Sequence, residues 1–457
     1  MNGRMQTRTI ISLLIVNLIS VSAFGDDHWP QFRGPGGRGI GSGHPPIEWD
    51  VQTGQNIAWK APIPGLGHSA PIVWGDHVFL TTAVNKDADQ PSVTTGWAGT
   101  AGESASDTGE WAWQVVCLEL GTGKIRWTKD AKVGKPSIKR HLKASHGNCT
   151  AATDGEHVIA FFGSEGLYCF NFAGELIWEH DFGKLHSGPY DAPQLEWGFA
   201  SSPIIHNGQV IVQCDCLNTH FVAILDIATG KEVRRIDREG EVATWSTPLV
   251  VTTDDREQIV CNGFRQMAGY DLKTGERLWH LKGGGDVPVP TPLFVDGLIY
   301  LTNGHGRHPT YAIKPNATGD LTPSSAKPEG TGLAWWQFLD GSYMPTPLVK
   351  GGRLYTCNDN GRLAVRDAKS GDLIYRQRVG TLNNTFSASA VAAGGYIYFA
   401  SELGEVTVIE EGGMFKQVAN NQMQEVVMST PAISGDRLLI RTLRNLYCIG
   451  RGEAAVK

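Results

Sequence analysis

The sequence predicts an all-β fold, an eight-bladed β-propeller built from four-stranded antiparallel blades. One observation is a segment of small residues, proline and apolar residues, best seen at residues 246–250, which recurs eight times along the chain. Most copies are spaced about 41 to 55 residues apart, a period typical of one propeller blade. The other observations are a closing motif shared by most copies and a last copy that lacks its fourth strand.

The opening of each unit predicts the inner strand of a blade. Proline is tolerated at the start of a strand, and small side chains suit a site where eight strands crowd around one axis. One position holds proline in six copies and alanine in two: Pro71, Ala151, Pro203, Pro248, Pro292, Pro347, Ala390 and Pro431. Further strands follow, joined by Asn- and Gly-containing hairpins such as residues 358–361, because these residues accept positive φ angles.

The closing motif predicts the outer strand and its packing. It reads Asp-x-x-Thr-Gly and ends in an aromatic residue four positions after the glycine, as in Gly275 and Trp279. The Asp side chain and the glycine are typical of a tight turn. We expect the aromatic side chain to wedge between neighbouring blades, and the equivalent residues are Trp127, Trp178, Trp336 and Tyr375.

The two ends of the repeat region predict how the ring closes. The last copy, from Ser429 to Gly450, provides three strands and then stops. Residues 56–60 look like a fourth strand with no first three before it. We expect this N-terminal strand to complete the last blade, since closure removes unpaired strand edges.

The N-terminal residues predict export. Residues 1–25 combine Arg4 and Arg8 with an apolar stretch and small residues, the pattern of a cleaved signal peptide. Residues 26–55 form a Gly/Pro-rich segment, predicted to be a strap against the propeller; residues 56–450 form the propeller and 451–457 a tail. No cysteine precedes Cys117, so no lipid-anchored amino terminus is expected. The mature chain is expected to be a periplasmic or secreted monomer without a transmembrane segment.

Charge and cysteine content narrow the function classes. A net charge of −6 and a pI of about 6.2 give no electrostatic reason to expect nucleic acid as a partner. The eight cysteines do not form a disulfide framework. Cys117, Cys169 and Cys448 share one third-strand position and are expected to be small buried hydrophobes, and a structural role is also favoured for Cys214 and Cys216.

Three long connections around the first two blades predict a binding face. Residues 82–113 contain an insertion with Trp97, Trp111 and Trp113, residues 129–148 are rich in Lys and Arg, and residues 181–199 contain Trp197. Long loops in compact domains are often functional or disordered. The alternative is that the tryptophans serve only in packing between blades and that the basic loop is simply exposed to solvent, without a binding role.

The motifs resemble a known family. The Ser/Thr-x-Pro openings and Asp-x-x-Thr-Gly-x-x-x-Trp closings, over residues 56–450, resemble the PQQ-type repeat of eight-bladed propellers. This group includes quinoprotein alcohol dehydrogenases and the outer-membrane assembly factor BamB. Four segments resemble an exported subgroup called PQQ-binding-like propellers: residues 29–35, 197–203, 310–315 and 446–450. The resemblance is specific for the fold and says little about function.

The resemblance also implies a test for catalysis. The family's enzymes hold pyrroloquinoline quinone (PQQ) in the central channel, commonly with calcium, an aspartate base and an adjacent pair of cysteines, and this chain has no such pair. By repeat alignment, eight residues precede the inner strands and should face the channel: His68, Asn148, Ala200, Trp245, Val289, Met344, Ser387 and Met428. They include no carboxylate, whereas calcium takes several hard oxygen ligands. Loop residues such as Asp191, Glu196 and Asp286 are the alternative source of a base or a metal ligand.

These observations predict a non-catalytic binding or scaffold propeller with no resident cofactor. Its rim and channel would face a protein or polymer partner in the cell envelope. The candidate binding residues are His68, Trp97, Asn148, Trp197, Trp245, His305 and Arg307, of which the last two belong to the glycine-rich loop at residues 304–308. No catalytic residue and no metal ligand is predicted. The alternatives are a PQQ- and calcium-dependent oxidoreductase and carbohydrate binding through exposed tryptophans.

Overall fold

Eight antiparallel sheets are arranged as the blades of a propeller in the computed structural model, which describes residues 27–87, 93–96, 103–323 and 332–451. The strands of each blade are given from the inner strand outward. Blade 1 consists of Ile72–Trp74, His77–Asn85, Trp111–Glu119 and Ile125–Gly134, and blade 2 consists of Ala152–Thr153, His157–Phe161, Leu167–Asn171 and Leu176–His180. Blade 3 consists of Ile204–His206, Gln209–Asp215, His220–Asp226 and Glu232–Asp237, and blade 4 consists of Leu249–Thr252, Glu257–Cys261, Met267–Asp271 and Arg277–Leu281. Blade 5 consists of Leu293–Val295, Leu298–Thr302, Thr310–Ile313 and Leu333–Gln337, and blade 6 consists of Leu348–Lys350, Arg353–Cys357, Arg362–Asp367 and Leu373–Arg378. Blade 7 consists of Val391–Ala393, Tyr396–Ala400, Glu405–Glu410 and Gln417–Gln422, and blade 8 consists of Ala432–Ser434, Arg437–Arg441, Asn445–Ile449 and Ile57–Pro62. The two-residue strand Gly319–Asp320 and two short 3-10 helices, Pro35–Gly37 and Gly163–Glu165, complete the described elements.

The ring closes through the N-terminal strand, as the sequence predicts. Ile57–Pro62 pairs antiparallel with Asn445–Ile449, so Lys60 lies opposite Tyr447. The chain therefore supplies the outer strand of blade 8 before it supplies the first strand of blade 1. All eight blades are complete, and the predicted fold class is confirmed.

Hydroxyl side chains join consecutive blades near the axis. At six of the eight junctions, a backbone N–H at the position before the proline donates to the Ser or Thr hydroxyl at the same position of the next blade, at 2.9 to 3.0 Å. The pairs are Ala70 to Thr150, Thr150 to Ser202, Ser202 to Thr247, Thr291 to Thr346, Thr346 to Ser389 and Ser389 to Thr430. The repeated Ser/Thr is thus a link between blades as well as a small residue.

The two remaining junctions use other donors. Between blades 4 and 5, Ser246 Oγ and Asn262 Nδ2 both donate to the Pro290 carbonyl. Between blades 8 and 1, where Ala70 has no hydroxyl, Ser429 Oγ donates to the Ser69 carbonyl and the buried Arg441 donates to Ser69 Oγ. Every junction near the axis is therefore hydrogen-bonded.

The aromatic residues of the closing motif connect the outer parts of neighbouring blades. The Trp178 indole N–H donates to the Ile227 carbonyl of blade 3 at 2.7 Å, and a β-carbon at Gly230 would lie 2.5 Å from the Trp178 ring. Glycine is required there because its φ is +69° and because the ring covers it. Equivalent bonds run from Trp59 to Leu120, Trp127 to Phe172 and Trp335 to Ala368. Trp279 is fully buried and donates within its own blade to Gln258 Oε1.

Blade 5 differs from the sequence prediction. The wedge there is Trp335, which is buried, whereas the predicted Trp336 is only partly buried. The reason is that a long connection replaces the tight turn before the fourth strand. Part of this connection, Gly319–Asp320, pairs in parallel with Trp279 and His280 and gives blade 4 a short fifth strand.

The N-terminal segment crosses the propeller as a strap, here residues 27–55. Trp29 is fully buried and pairs with Val73 of blade 1. Beyond it, the buried Arg33 donates to the carbonyls of Pro347 and Ala390 in blades 6 and 7. The strap therefore passes from blade 1 across the axis to the opposite side of the ring.

All eight cysteines are buried and unpaired in disulfides. Cys117, Cys169 and Cys448 lie on third strands, as the repeat alignment predicts. Cys214 and Cys216 are buried as well, and burial raises the pKa of the Cys216 thiol to about 12. Within the described residues, no helix is long and apolar enough to cross a bilayer.

Candidate binding site in the central channel

The eight residues that precede the inner strands surround one cavity on the axis. The cavity has a volume of about 490 Å³, within the range of about 300 to 1,000 Å³ that is usual for small-molecule sites. Its wall includes the whole predicted set: His68, Asn148, Ala200, Trp245, Val289, Met344, Ser387 and Met428. Repeat alignment alone therefore located the channel wall.

The strap closes one end of this cavity. Phe32 is the strap residue that lines it, and its neighbours on either side are fixed to opposite blades. Pro30 accepts a hydrogen bond from the Thr153 N–H in blade 2, while Arg33 binds blades 6 and 7. Phe32 thus lies between these two anchored points and lines the cavity together with the linked Ser and Thr residues.

At the other end, loops from blade 1 reach across to blade 7. Glu402 is nearly inaccessible, with its side chain 1% exposed, and it binds Lys143 Nζ at 2.6 Å. It also accepts a hydrogen bond from the Gly96 N–H at 2.8 Å and another from Ser387 Oγ. The insertion of blade 1 and the basic connection that follows it are therefore both attached to blade 7, past blade 8.

Asp107 holds these two loops together. Its carboxylate accepts from Arg140 Nε at 2.6 Å and lies 3.0 Å from His146 Nε2. Burial opposes its ionisation, but the hydrogen bonds from His146 and Arg140 outweigh that effect and lower the Asp107 pKa to about 2. The basic residues at 129–148 are thus partly structural, since Arg140 is buried rather than solvated.

Aromatic side chains form the cavity wall at blades 2 to 4. The Trp197 and Trp245 ring centroids are 5.6 Å apart at an interplanar angle of 34°, and His141 lies edge-on to Trp197 at 5.4 Å. The Trp245 indole N–H donates to the Gly198 carbonyl. Because this bond uses the polar atom of the indole, Trp245 presents ring carbon to the cavity.

Two polar residues in this wall are held by backbone groups. His68 Nε2 lies 3.1 Å from the Lys143 carbonyl. Burial, and then the charges of Arg441 and Arg140, lower the His68 pKa to about 3, so its imidazole is neutral at pH 7. Asn148 donates to the Phe199 carbonyl and accepts from Ser145.

The wall at blades 5 to 7 is acidic. Asp286 Oδ1 lies 2.6 Å from His305 Nδ1, and both residues line the cavity with Asp359. Burial raises the Asp359 pKa, against the opposing charge of Lys143. Tyr343 is near enough to feel both carboxylates: burial and then the charges of Asp359 and Asp286 raise its pKa to about 12.

The predicted candidate residues divide into three groups. The structure brings His68, Asn148, Trp197, Trp245 and His305 together around the cavity. Arg307 is exposed and is not among the lining residues. Trp97 lies outside the described residues, so its proposed role stays a prediction.

Sequence reasoning did not assign several lining residues to the site, among them Phe32, His141, Lys143, Tyr343, Asp359 and Glu402. Asp359 and Glu402 occupy equivalent hairpins between the second and third strands of blades 6 and 7, so aligning the hairpins as well as the openings would have found them. Of the loop carboxylates considered, Asp191 and Asp286 line the cavity. Glu196 instead binds Lys184 Nζ at 3.0 Å.

The donor set around the cavity does not fit calcium. Calcium takes about six to eight oxygen ligands, and no group of three or more His, Cys, Asp or Glu among the described residues could hold a metal ion. Glu402 and Asp286 already bind Lys143 and His305. A quinone bearing carboxylates would also need cations, and Lys143, the one lysine among the described residues of the wall, is bound to Glu402.

Comparison with known proteins assigns the family. A family profile described as "Outer membrane protein assembly factor BamB" matches residues 112–331 and 324–456, which is more than half of the chain. The chain belongs to this family. A BamB from Moranella endobia (strain PCIT) is 22% identical over 339 residues, which cover 72% of this chain and 78% of that relative.

Solved structures agree on the fold. BamB from Moraxella catarrhalis superposes with a TM-score of 0.52 at 15% identity, covering 81% of this chain and 99% of that one. A europium-containing methanol dehydrogenase superposes with a TM-score of 0.63 at 10% identity, covering 90% of this chain and 89% of that one. At these identities the likeness concerns the propeller and not its chemistry.

Proposed function

We propose that this BamB-family chain is an exported, non-catalytic binding or scaffold propeller. It presents its channel mouth and the surrounding rim to a protein or polymer partner in the cell envelope. The predicted signal peptide supports export, and the outer membrane in the family's description supports an envelope location.

The observation that supports this proposal best is that the two faces of the propeller are covered by different segments of the chain. The strap covers one face and buries Trp29 and Arg33 there. The opposite face carries the long connections, which are fixed by the buried pairs Arg140–Asp107 and Lys143–Glu402. A surface held in one arrangement before binding loses less entropy when a partner docks, so this face suits recognition.

The quinoprotein alternative is less well supported. The similarity to dehydrogenases concerns the fold, and the channel carboxylates do not form a calcium cage. The thiol groups are all buried, and for Cys216 burial raises the pKa to about 12, which disfavours thiolate chemistry.

Site-specific photo-crosslinking in the producing cell tests the proposal. A photoreactive amino acid replaces Gln194, which is exposed in the rim connection, or Gln52, which is exposed in the strap. We expect a discrete adduct from position 194 and none from position 52. Adducts from position 52 alone, or quinone-dependent turnover of alcohols by the purified protein, would overturn the assignment.

A further inference from the structure

We propose that the channel cavity binds a small organic cation, an alkylammonium compound whose charged nitrogen lies between the aromatic wall and the acidic wall. The inference goes beyond the proposed function, because it concerns a small molecule inside the channel and not the partner on the rim.

The cavity wall carries an excess of negative charge. Its carboxylates are Asp191, Asp286, Asp359 and Glu402, and its lysine is Lys143. Two wall histidines do not offset this charge. Burial is the main cause that lowers the pKa of His68 to about 3 and of His141 to about 4, so both are neutral at pH 7.

Asp359 is the carboxylate best placed to receive a ligand. Glu402 and Asp286 have partners in the wall, whereas Asp359 makes no ion pair among the described residues and accepts a hydrogen bond from its own backbone N–H. An unpaired, partly buried carboxylate is costly. A bound cation would offset that cost, and the Asp359 carboxylate would then be held ionised.

The aromatic wall complements a cation from the other side. Trp197 and Trp245 are neighbours with ring centroids 5.6 Å apart, and Trp245 turns its indole N–H away toward Gly198. Ammonium groups are attracted to the faces of such rings, most strongly when they are desolvated. Phe32 of the strap adds a further aromatic ring to the cavity lining.

A neutral sugar is a poorer occupant. It would need free hydrogen-bonding groups, and the hydroxyls that ring the cavity are largely engaged between blades. Thr150, Ser202 and Ser389, for example, each accept from a neighbouring backbone N–H. Apart from the hydroxyls of Thr291 and Thr385, which have no hydrogen-bond partner among the described residues, the groups left over include ring carbon and carboxylate, a pair that suits an ammonium carried on an alkyl body.

Calorimetric titration of the purified protein compares choline with its neutral isostere, 3,3-dimethyl-1-butanol. We expect saturable one-to-one binding of choline, and binding of the isostere weaker by at least about tenfold. Quenching of tryptophan fluorescence should accompany choline binding, since Trp197 and Trp245 line the site. Equal affinity for the two compounds, preference for a neutral saccharide, or no choline binding would each overturn the proposal.

Matched variants locate the site. Asp359→Asn keeps the shape of the side chain and removes its charge, and we expect it to weaken choline binding by at least about tenfold. Its thermal midpoint without ligand should not fall, because the substitution removes a buried charge; this shows that the variant is folded. Asp255→Asn, an exposed carboxylate in blade 4, should bind like the parent. Unchanged affinity in Asp359→Asn would contradict the assigned position.

Discussion

His68 begins the set of eight residues around the channel, in surroundings that disfavour a positive charge. It is partly buried, and this burial and then the charges of Arg441 and Arg140 lower its pKa to about 3. In the unfolded chain the ordinary His pKa is about 6.5. Between these two values the unfolded state binds the extra proton, so stability is present above about pH 6.5 and is lost as the pH falls.

His68→Asn should therefore weaken the acid sensitivity of the protein. From pH 6.5 to pH 4, we expect the wild-type free energy of unfolding to lose about 3 kcal/mol through this one group. His141, with its pKa lowered to about 4, adds a similar loss in both proteins. Denaturant titrations at several pH values measure the difference, and parallel curves for the two proteins would refute the account.

At the scale of elements, one buried cation makes several of the contacts between the strap and the blades. Arg33 is fully buried, and its guanidinium donates to carbonyls of the strap itself and of blades 6 and 7. Burial lowers its pKa to about 9, but it stays charged at pH 7. The accepting carbonyls depend on Arg33 for a hydrogen-bond donor, because water does not reach them.

Arg33→Met should destabilise the protein by at least about 3 kcal/mol, since it leaves several buried acceptors without a donor. Arg38→Met is the matched control, because Arg38 lies in the same strap and is exposed; it should change stability by less than about 0.5 kcal/mol. Chemical denaturation measures both variants. Similar stabilities for the two would show that Arg33 does not anchor the strap.

At the scale of the whole molecule, seven blades take their four main strands from consecutive chain and blade 8 takes its outer strand from the other end. Only noncovalent contacts hold Ile57–Pro62 in blade 8. Trp59 contributes strongly, because its indole N–H donates to the Leu120 carbonyl of blade 1 at 2.8 Å. Blade 2 provides the same contact with a covalently continuous strand, through Trp178 and Ile227.

Trp59→Ala and Trp178→Ala form a matched pair, since both side chains are 8% exposed. Each should lose about 3 to 5 kcal/mol of stability. Hydrogen exchange should separate them: amides of Ile57–Pro62 should lose protection in Trp59→Ala, whereas those of Leu176–His180 should stay protected in Trp178→Ala. Equal protection of the two outer strands would mean that the noncovalent junction is no weaker than the others.

The repeat made most of this molecule predictable. Copies of one motif report local chemistry that recurs, so aligning Trp245 with Met344 and Met428 placed all of them in the channel wall. Contacts that occur at only one place in the molecule could not be predicted in this way. Nothing in the local pattern indicates that Phe32 closes the channel or that Lys143 reaches Glu402, because these contacts depend on where a unique segment crosses the ring. The shifted wedge at Trp335 has the same origin, a unique connection in blade 5.

The hydroxyl links between blades have a consistent direction. In each of the six, the earlier blade gives the N–H and the later blade gives the oxygen. A blade with a Ser or Thr at this position therefore provides both the N–H donor for one link and the hydroxyl acceptor for the other. A duplicated copy of Thr346 and its blade could enter the ring beside its parent without any new chemistry, which gives propellers of this kind a simple route to change their blade number.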